Sequence, residues 1–281
     1  MEDCWYLSFA VPQGLVVMDG RQAVYPLQVL QRLSVALVKP VELFALLDAK
    51  HADAVVLRHT RPEHAASIAA LSQRSDYGVA TIGDRHVLFV RGLQGDAAIS
   101  VLQPNLGLRS FGPAQRTRAW LELARIGAQP GVAEYVGFQR ALLRVSPELR
   151  AGGYDGLQPL ASAAQRARYE HALDDLGPAL VPNENLPTAQ LLATMLDLAL
   201  CRLDRAAQAL ALAAAAGENR QTLALRIELS IRRGRAQQAR DMIDALAGAS
   251  TDNWLGALDQ LRSAAVRSPL CAGATAGAAW F

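Results

Sequence analysis

The stretch "GVATIGDRHVLFV", Gly78 to Val90, contains two short apolar runs separated by Gly83, Asp84 and Arg85. Each run has the length and residue types of a strand, and glycine followed by aspartate is typical of a tight turn between antiparallel strands. The stretch therefore predicts a β-hairpin. The kind of sheet that contains this hairpin depends on the apolar runs that precede it.

Two further runs precede the hairpin, at residues 15–18 and 54–57, and each ends in polar residues. Short continuous apolar runs are typical of strands buried on both faces, as in parallel sheets. Leucines at helical spacing follow the first run, and Pro40 and Pro62 are placed to begin helices. The order β-α-α-β-α-β-β predicts for residues 1–92 a small α/β layer domain with a mostly parallel sheet and an antiparallel end.

The rest of the chain has a different pattern. Glycine, proline and polar residues interrupt residues 93–112, which are therefore predicted to be a linker. Residues 113–267 have helical periodicity, and residues 268–281 have the small, glycine-rich composition of a flexible tail. The expected fold is thus α/β plus all-α, the second domain being a solenoid-like series of helical hairpins.

A weak internal repeat supports the series of hairpins. The octet "LDRAAQAL" at 203–210 matches the octet "RGRAQQAR" at 233–240, with alanines at shared positions. Small side chains let paired helices approach closely, and each hairpin can bury its apolar face on the next. This half resembles tetratricopeptide repeats, whose period is about 34 residues. Alanine-rich hairpins without repeat ancestry are the alternative.

Composition narrows the classes of function. A net charge of +2 favours neither nucleic acid nor an anionic surface as partner. The cysteines Cys4, Cys201 and Cys271 are far apart and without a CxxC pair, so they support neither a zinc ribbon nor a disulfide framework. No apolar run is long and uncharged enough for a membrane span, and no signal peptide is visible. Taken alone, the chain is therefore expected to be soluble, and the absence of a signal peptide favours the cytoplasm, but the compartment stays unknown at this point.

Four polar residues are candidates for a ligand site. Asp19 and Arg21 follow the first apolar run, and Arg58 and His59 follow the second. In open parallel sheets, ligands bind beyond the carboxyl ends of the strands. If the two strands are parallel neighbours, these side chains could together bind an anion or a sugar. Ordinary turn chemistry and solvated arginines are the alternative reading.

Motifs of catalysis and cofactor binding are not found. The sequence has no glycine-rich phosphate loop, no GxSxG elbow and no histidine pair at metal-binding spacing. We therefore expect no cofactor and no metal, and we assign no catalytic residue. Whether the chain is an enzyme stays open at this point.

A family resemblance covers about the first third of the chain. The segments "WYLSFAVPQGLVVMDGRQAVYP", "ELFALLDAKHADAVVLRHTRP" and "SDYGVATIGDRHVLFVR" resemble a soluble region of multi-spanning bacterial membrane proteins. Those proteins are related to glycosyltransferases of the protein-mannosyltransferase type, which use lipid-linked sugar donors.

The resemblance extends to particular elements. Asp19, Arg21 and Tyr25 correspond to a "DGR…Y" element, residues 53–57 to a second strand and residues 84–91 to a terminal hairpin. In that family the region faces the extracytoplasmic side. The membrane helices and their catalytic acid have no counterpart in this sequence, so the resemblance carries no catalytic role over to these residues.

Two functions are consistent with these patterns. The first is a non-enzymatic accessory module that binds a protein partner through its helical half. The alternative is the soluble portion of a glycosyltransferase-like membrane protein that handles a glycan or lipid-linked sugar.

Overall fold

The computed structural model describes residues 27–104, 108, 111–146, 162–180 and 187–249. The apolar run 15–18, the residues Asp19, Arg21 and Tyr25, and the tail 268–281 lie outside this part of the chain. The chain divides into two compact units, Met1–Ser100 and Val101–Phe281. The boundary falls inside the range predicted as a linker.

The first unit combines helices with a small sheet. Its described elements are α1 (Leu27–Val38), α2 (Pro40–Ala49), β1 (Ala54–Arg58), α3 (Ala65–Leu71), β2 (Tyr77–Ile82) and β3 (His86–Arg91), with single 3₁₀ turns at Pro62–His64 and Gly95–Ala97. Pro40 begins α2, where its missing N–H costs nothing and its fixed φ suits a helix.

The prediction of a mostly parallel sheet is wrong for the described strands. Their order is β1-β3-β2, and both pairings are antiparallel. The hairpin of β2 and β3 is present, but β3 folds back between β1 and β2. β1 and β2 therefore run in the same direction, as a strand–helix–strand unit should, yet they are not neighbours.

At the centre of the sheet, β3 combines buried side chains with hydrogen bonds to both neighbouring strands. Val87 and Phe89 are fully buried, and β3 hydrogen-bonds on both of its edges. Their register partners on the flanking strands are also apolar: Phe89 lies opposite Val55 and Val79, and Val87 lies opposite Leu57. The central strand thus satisfies its backbone on both sides, which an edge position would not allow.

All regular secondary structure that is described in the second unit is helical. Its α-helices are α4 (Pro113–Ile126), α5 (Ala133–Val145), α6 (Ala163–Leu176), α7 (Pro187–Ala199), α8 (Leu203–Ala215), α9 (Arg220–Arg232) and α10 (Ala236–Ala249), and a 3₁₀ turn at Gly177–Leu180 follows α6. Helices adjacent in sequence pack as pairs, most extensively α5 with α6 and α7 with α8.

Two successive hairpins of this unit have the same geometry at a constant offset. α7 begins at residue 187 and α9 at residue 220, while α8 begins at residue 203 and α10 at residue 236. The turns also correspond, because Cys201 and Gly234 both have positive φ, at 58° and 76°. The octets align residue 203 with residue 233, and this alignment is wrong. In the structure residue 203 corresponds to residue 236, since each begins the second helix of its hairpin.

The equivalent positions also share their packing. Ala206 on α8 and Ala239 on α10 are both fully buried at the start of the second helix of their hairpin. Arg202 N–H donates to the carbonyl of Asp197 at 2.8 Å, and Arg235 N–H donates to that of Ser230 at 2.9 Å. Small buried residues and a repeated turn bond thus fix both hairpins in one conformation.

Candidate functional site

Two of the four predicted ligand residues can be located. Arg58 and His59 lie at the carboxyl end of β1, while Asp19 and Arg21 lie outside the described residues. Because β3 is antiparallel to β1, the end of β1 lies beside the turn of the hairpin: Arg58 is in register with His86. The described strands therefore do not form the parallel edge on which the ligand hypothesis was based.

His59 holds this turn in place. Its ring Nε2 donates to the carbonyl of Gly83 at 2.8 Å, and its backbone N–H donates to the carbonyl of Arg85, also at 2.8 Å. Burial lowers the pKa of His59, while the bond to Gly83 opposes that shift. These contacts fit a neutral imidazole that anchors a hairpin.

Arg58 makes local contacts from a half-buried position. Its Nε donates to Thr60 Oγ1 at 3.2 Å. Burial lowers the pKa of His64 as well, and the nearby backbone of Arg58 opposes that shift. Within the described part of the chain, no group of histidine, cysteine or acidic side chains is arranged to hold a metal ion.

The densest charged cluster of the first unit is internally paired. Arg74 donates to Asp76 at 2.7 Å and to Asp48 at 3.0 Å, and Arg91 lies between the same two acids and the Tyr77 hydroxyl. The Arg74 guanidinium lowers the pKa of both carboxyl groups. Since every charge has a partner, the cluster stabilises the unit and offers little to a ligand.

The second unit contains an open groove of about 570 Å³. Its walls are the turn between α4 and α5, the first turns of α5, and the end of α6 with the residue Pro178 that follows. Most of the lining is backbone, glycine, proline and valine. One cation, Arg140, and two acids, Asp174 and Asp175, also line the groove.

A glycine brings the helices beside the groove close together. A β-carbon at Gly137 would lie 2.5 Å from the carbonyl oxygen of Asp175, which is closer than real side chains approach. Gly137 is therefore needed for the close crossing of α5 and α6. Arg144 forms an ion pair with Asp175 at the same crossing.

A buried acid marks the turn between α7 and α8. The Asp197 side chain is only 4% exposed; one carboxyl oxygen lies 3.7 Å from Arg205, and the other has no hydrogen-bond partner among the described residues. Burial raises the pKa of Asp197, and Arg205 and Arg202 oppose the shift. Such an incompletely satisfied carboxylate costs stability.

Sequence reasoning did not identify Arg140 or Asp197 as notable residues. Nothing in the local pattern separates Arg140 from the other arginines of the chain. Gly137 was the available signal, because a glycine inside an amphipathic helix usually marks a close approach. Cys201 is disulfide-bonded, which the odd number of cysteines gave no reason to expect.

Comparison with protein-family models, with curated proteins and with solved structures finds no match to this chain. Among the described residues, no helix is both long enough and apolar enough to cross a membrane.

Proposed function

We propose that the protein is an interaction module whose helical unit binds a protein partner. The observation that carries the proposal is the recurrence of one hairpin geometry, in α7 with α8 and again in α9 with α10, the paired helices starting at residues 187 and 203 and then at 220 and 236. Stacked hairpins of this kind form extended surfaces on which other proteins bind. The spacing is near the period of tetratricopeptide repeats, about 34 residues, and we place the hairpins in that class as part of the proposal.

The distribution of exposed apolar residues suits this role. Leu121 on α4 is 63% exposed and Leu212 on α8 is 46% exposed, so both are available to a partner without unfolding. The first unit offers a matched control, since Val41 on α2 is 78% exposed.

The experiment is affinity capture of the tagged full-length chain from its native cells after crosslinking, with Leu121→Glu, Leu212→Glu and Val41→Glu variants. We expect a reproducible protein partner whose recovery falls at least fivefold with one of the first two substitutions and is unchanged with Val41→Glu. Loss of the partner with Val41→Glu alone would contradict binding by the helical unit. Circular dichroism must show that each variant is folded.

The second candidate is the soluble portion of a glycosyltransferase-like membrane protein. Its support is a strand at Ala54–Arg58 and a hairpin at residues 77–91, at the positions that the resemblance implies. The disulfide bond at Cys201 adds to it, because disulfides persist mainly outside the cytosol. Titration of the full chain with lipid-linked and free oligosaccharides, compared with Asp19→Ala and Arg58→Ala, tests it. Equal binding by all three chains, or no binding, would reject this candidate.

A further inference from the structure

One arginine that lines the groove of the second unit has no partner among the described residues. Arg140 is half-buried in the wall of the groove and has neither a hydrogen bond nor an ion pair with any residue that the structure describes. Its guanidinium lies over the end of α4, 3.5 Å from where a β-carbon on Gly127 would be. This guanidinium is half-buried and unpaired. It can therefore donate charge-assisted hydrogen bonds to the carboxylate of a ligand.

The acids of the groove do not neutralise Arg140. The carboxylate of Asp175 is bound to Arg144 in an ion pair. The Asp174 side chain is 84% exposed and lies 3.9 Å from the His171 ring, so its charge is well hydrated. Neither acid of the groove is therefore ion-paired with Arg140.

Trp120 is connected to the groove through Arg144 and the lining residue Asp175. The Arg144 guanidinium that holds Asp175 also lies over the Trp120 ring, 5.7 Å from its centroid. Trp120 is partly exposed, and its neighbour Leu121 is exposed more fully. Tryptophan and arginine are among the residue types that dominate binding energy in protein interfaces.

We propose that the surface formed by Arg140, Trp120 and the groove binds a peptide segment of the partner that carries acidic and apolar side chains. A carboxylate of the segment pairs with Arg140, and an apolar side chain packs against Trp120. The inference rests on the proposed function, and it assigns to it a site and a ligand chemistry.

The test uses the full-length chain and three fluorescein-labelled decapeptides that combine leucine with glutamate, with lysine or with serine. Fluorescence anisotropy measures each dissociation constant at low salt. We expect the glutamate–leucine peptide to bind at least tenfold more tightly than the other two. Arg140→Gln and Trp120→Ala should each weaken that binding about tenfold, which corresponds to about 1.4 kcal/mol.

Arg240→Gln is the matched control, because Arg240 is exposed on α10, away from the groove lining. It should leave the affinity unchanged. Equal affinity for the lysine peptide, no effect of Arg140→Gln, or no binding at about 1 mM peptide would each overturn the inference.

Failure of the inference is distinguishable from failure of the proposed function. A captured partner whose recovery is insensitive to Arg140→Gln would refute this site while leaving the helical unit as the binding module. A chain that captures no partner at all would refute the function itself. Thermal unfolding of Arg140→Gln should match that of the unchanged chain, since the guanidinium makes no bond to the described residues.

Discussion

A charged cluster of the first unit and two charged groups of the second differ in how completely they are paired. In the first, Arg74 and Arg91 are enclosed by Asp48, Asp76 and Tyr77, so each charged group finds a partner on the surface. In the second, within its described residues, Arg140 lines a groove without a partner and Asp197 is buried with one oxygen unbonded. Paired surface charges contribute modestly to stability, whereas buried charges without a full set of partners cost free energy. The incompletely paired charges described in this paragraph lie in the helical unit, where we propose that a partner binds.

A substitution in the sheet should give the largest effect. A β-carbon at Gly78 on β2 would lie 2.2 Å from the carbonyl oxygen of Leu93, a backbone atom that cannot move aside alone. Gly78→Ala should therefore lower the free energy of unfolding by about 3 kcal/mol. Urea denaturation gives the total loss, and hydrogen exchange should place it in the first unit. Unchanged protection of β2 and β3 would contradict the close approach.

Gly137→Ala is the counterpart in the helical unit. It should cost about 2 kcal/mol, somewhat less than in the sheet, because two helices can separate by a few tenths of an ångström. Gly177→Ala is the control: a β-carbon there meets nothing within 4 Å, so no loss is expected. An unchanged or raised free energy of unfolding for Gly137→Ala would contradict the close crossing, because the higher helix propensity of alanine would then outweigh any clash.

The third-largest loss of stability is expected at Glu122, a buried acid of the second unit. The Glu122 side chain is 2% exposed, accepts the N–H groups of Val101 and Leu102, and pairs with Arg118. Glu122→Gln keeps an acceptor but loses the charge, and it should cost about 1–2 kcal/mol. Glu218→Gln, at a half-exposed pair with Arg226, should cost under about 0.5 kcal/mol by the same chemical denaturation. A reversed order would refute the role of burial.

Acid should destabilise the first unit through His59. The folded-state pKa is lowered, so the unfolded chain binds the proton more readily, and stability falls as pH drops below the ordinary value of 6.5. His59→Gln should cost about 1 kcal/mol at pH 7.5, from the weakened bond to Gly83, and should reduce the stability loss between about pH 7 and pH 5. Denaturation curves across that range measure both. His64, shifted in the same direction, accounts for a residual slope.

Asp197 should give the smallest effect and the opposite sign. Its folded-state pKa is raised, so the folded chain holds the proton more tightly, and stability falls as pH rises above the ordinary value of 3.8. Asp197→Asn should raise the free energy of unfolding at pH 7 by about 0.5 kcal/mol, and the gain should shrink as pH approaches 4. A destabilised Asn variant at pH 7 would mean that Arg205 and Arg202 compensate the burial of the charge.

The candidate site shows where sequence reasoning stops. Arg58 and His59 were predicted from their place after an apolar run, and that place is correct at the end of β1. Their grouping into a ligand edge required parallel neighbours, and strand pairing is a non-local choice that the run itself does not encode. Arg140 could not be selected at all, because its lack of a partner is a property of the surrounding described helices.

The local elements were determined by the sequence alone. The apolar run 54–57, the turn at Gly83 to Arg85 and the helical periodicity after residue 113 each follow from residue type and spacing within a few positions. Those signals act over one or two turns of chain, so they specify a strand, a hairpin or a helix.

Only the tertiary structure decided how these elements meet. β3 took the centre of the sheet because both of its edges could then be bonded while Val87 and Phe89 were buried. In the two helical hairpins of the second unit, the turn at Cys201 corresponds to the turn at Gly234, since both residues have positive φ. The two similar octets do not correspond to each other in this alignment. Burial and pairing depend on residues far apart in the chain, and no local pattern contains that information.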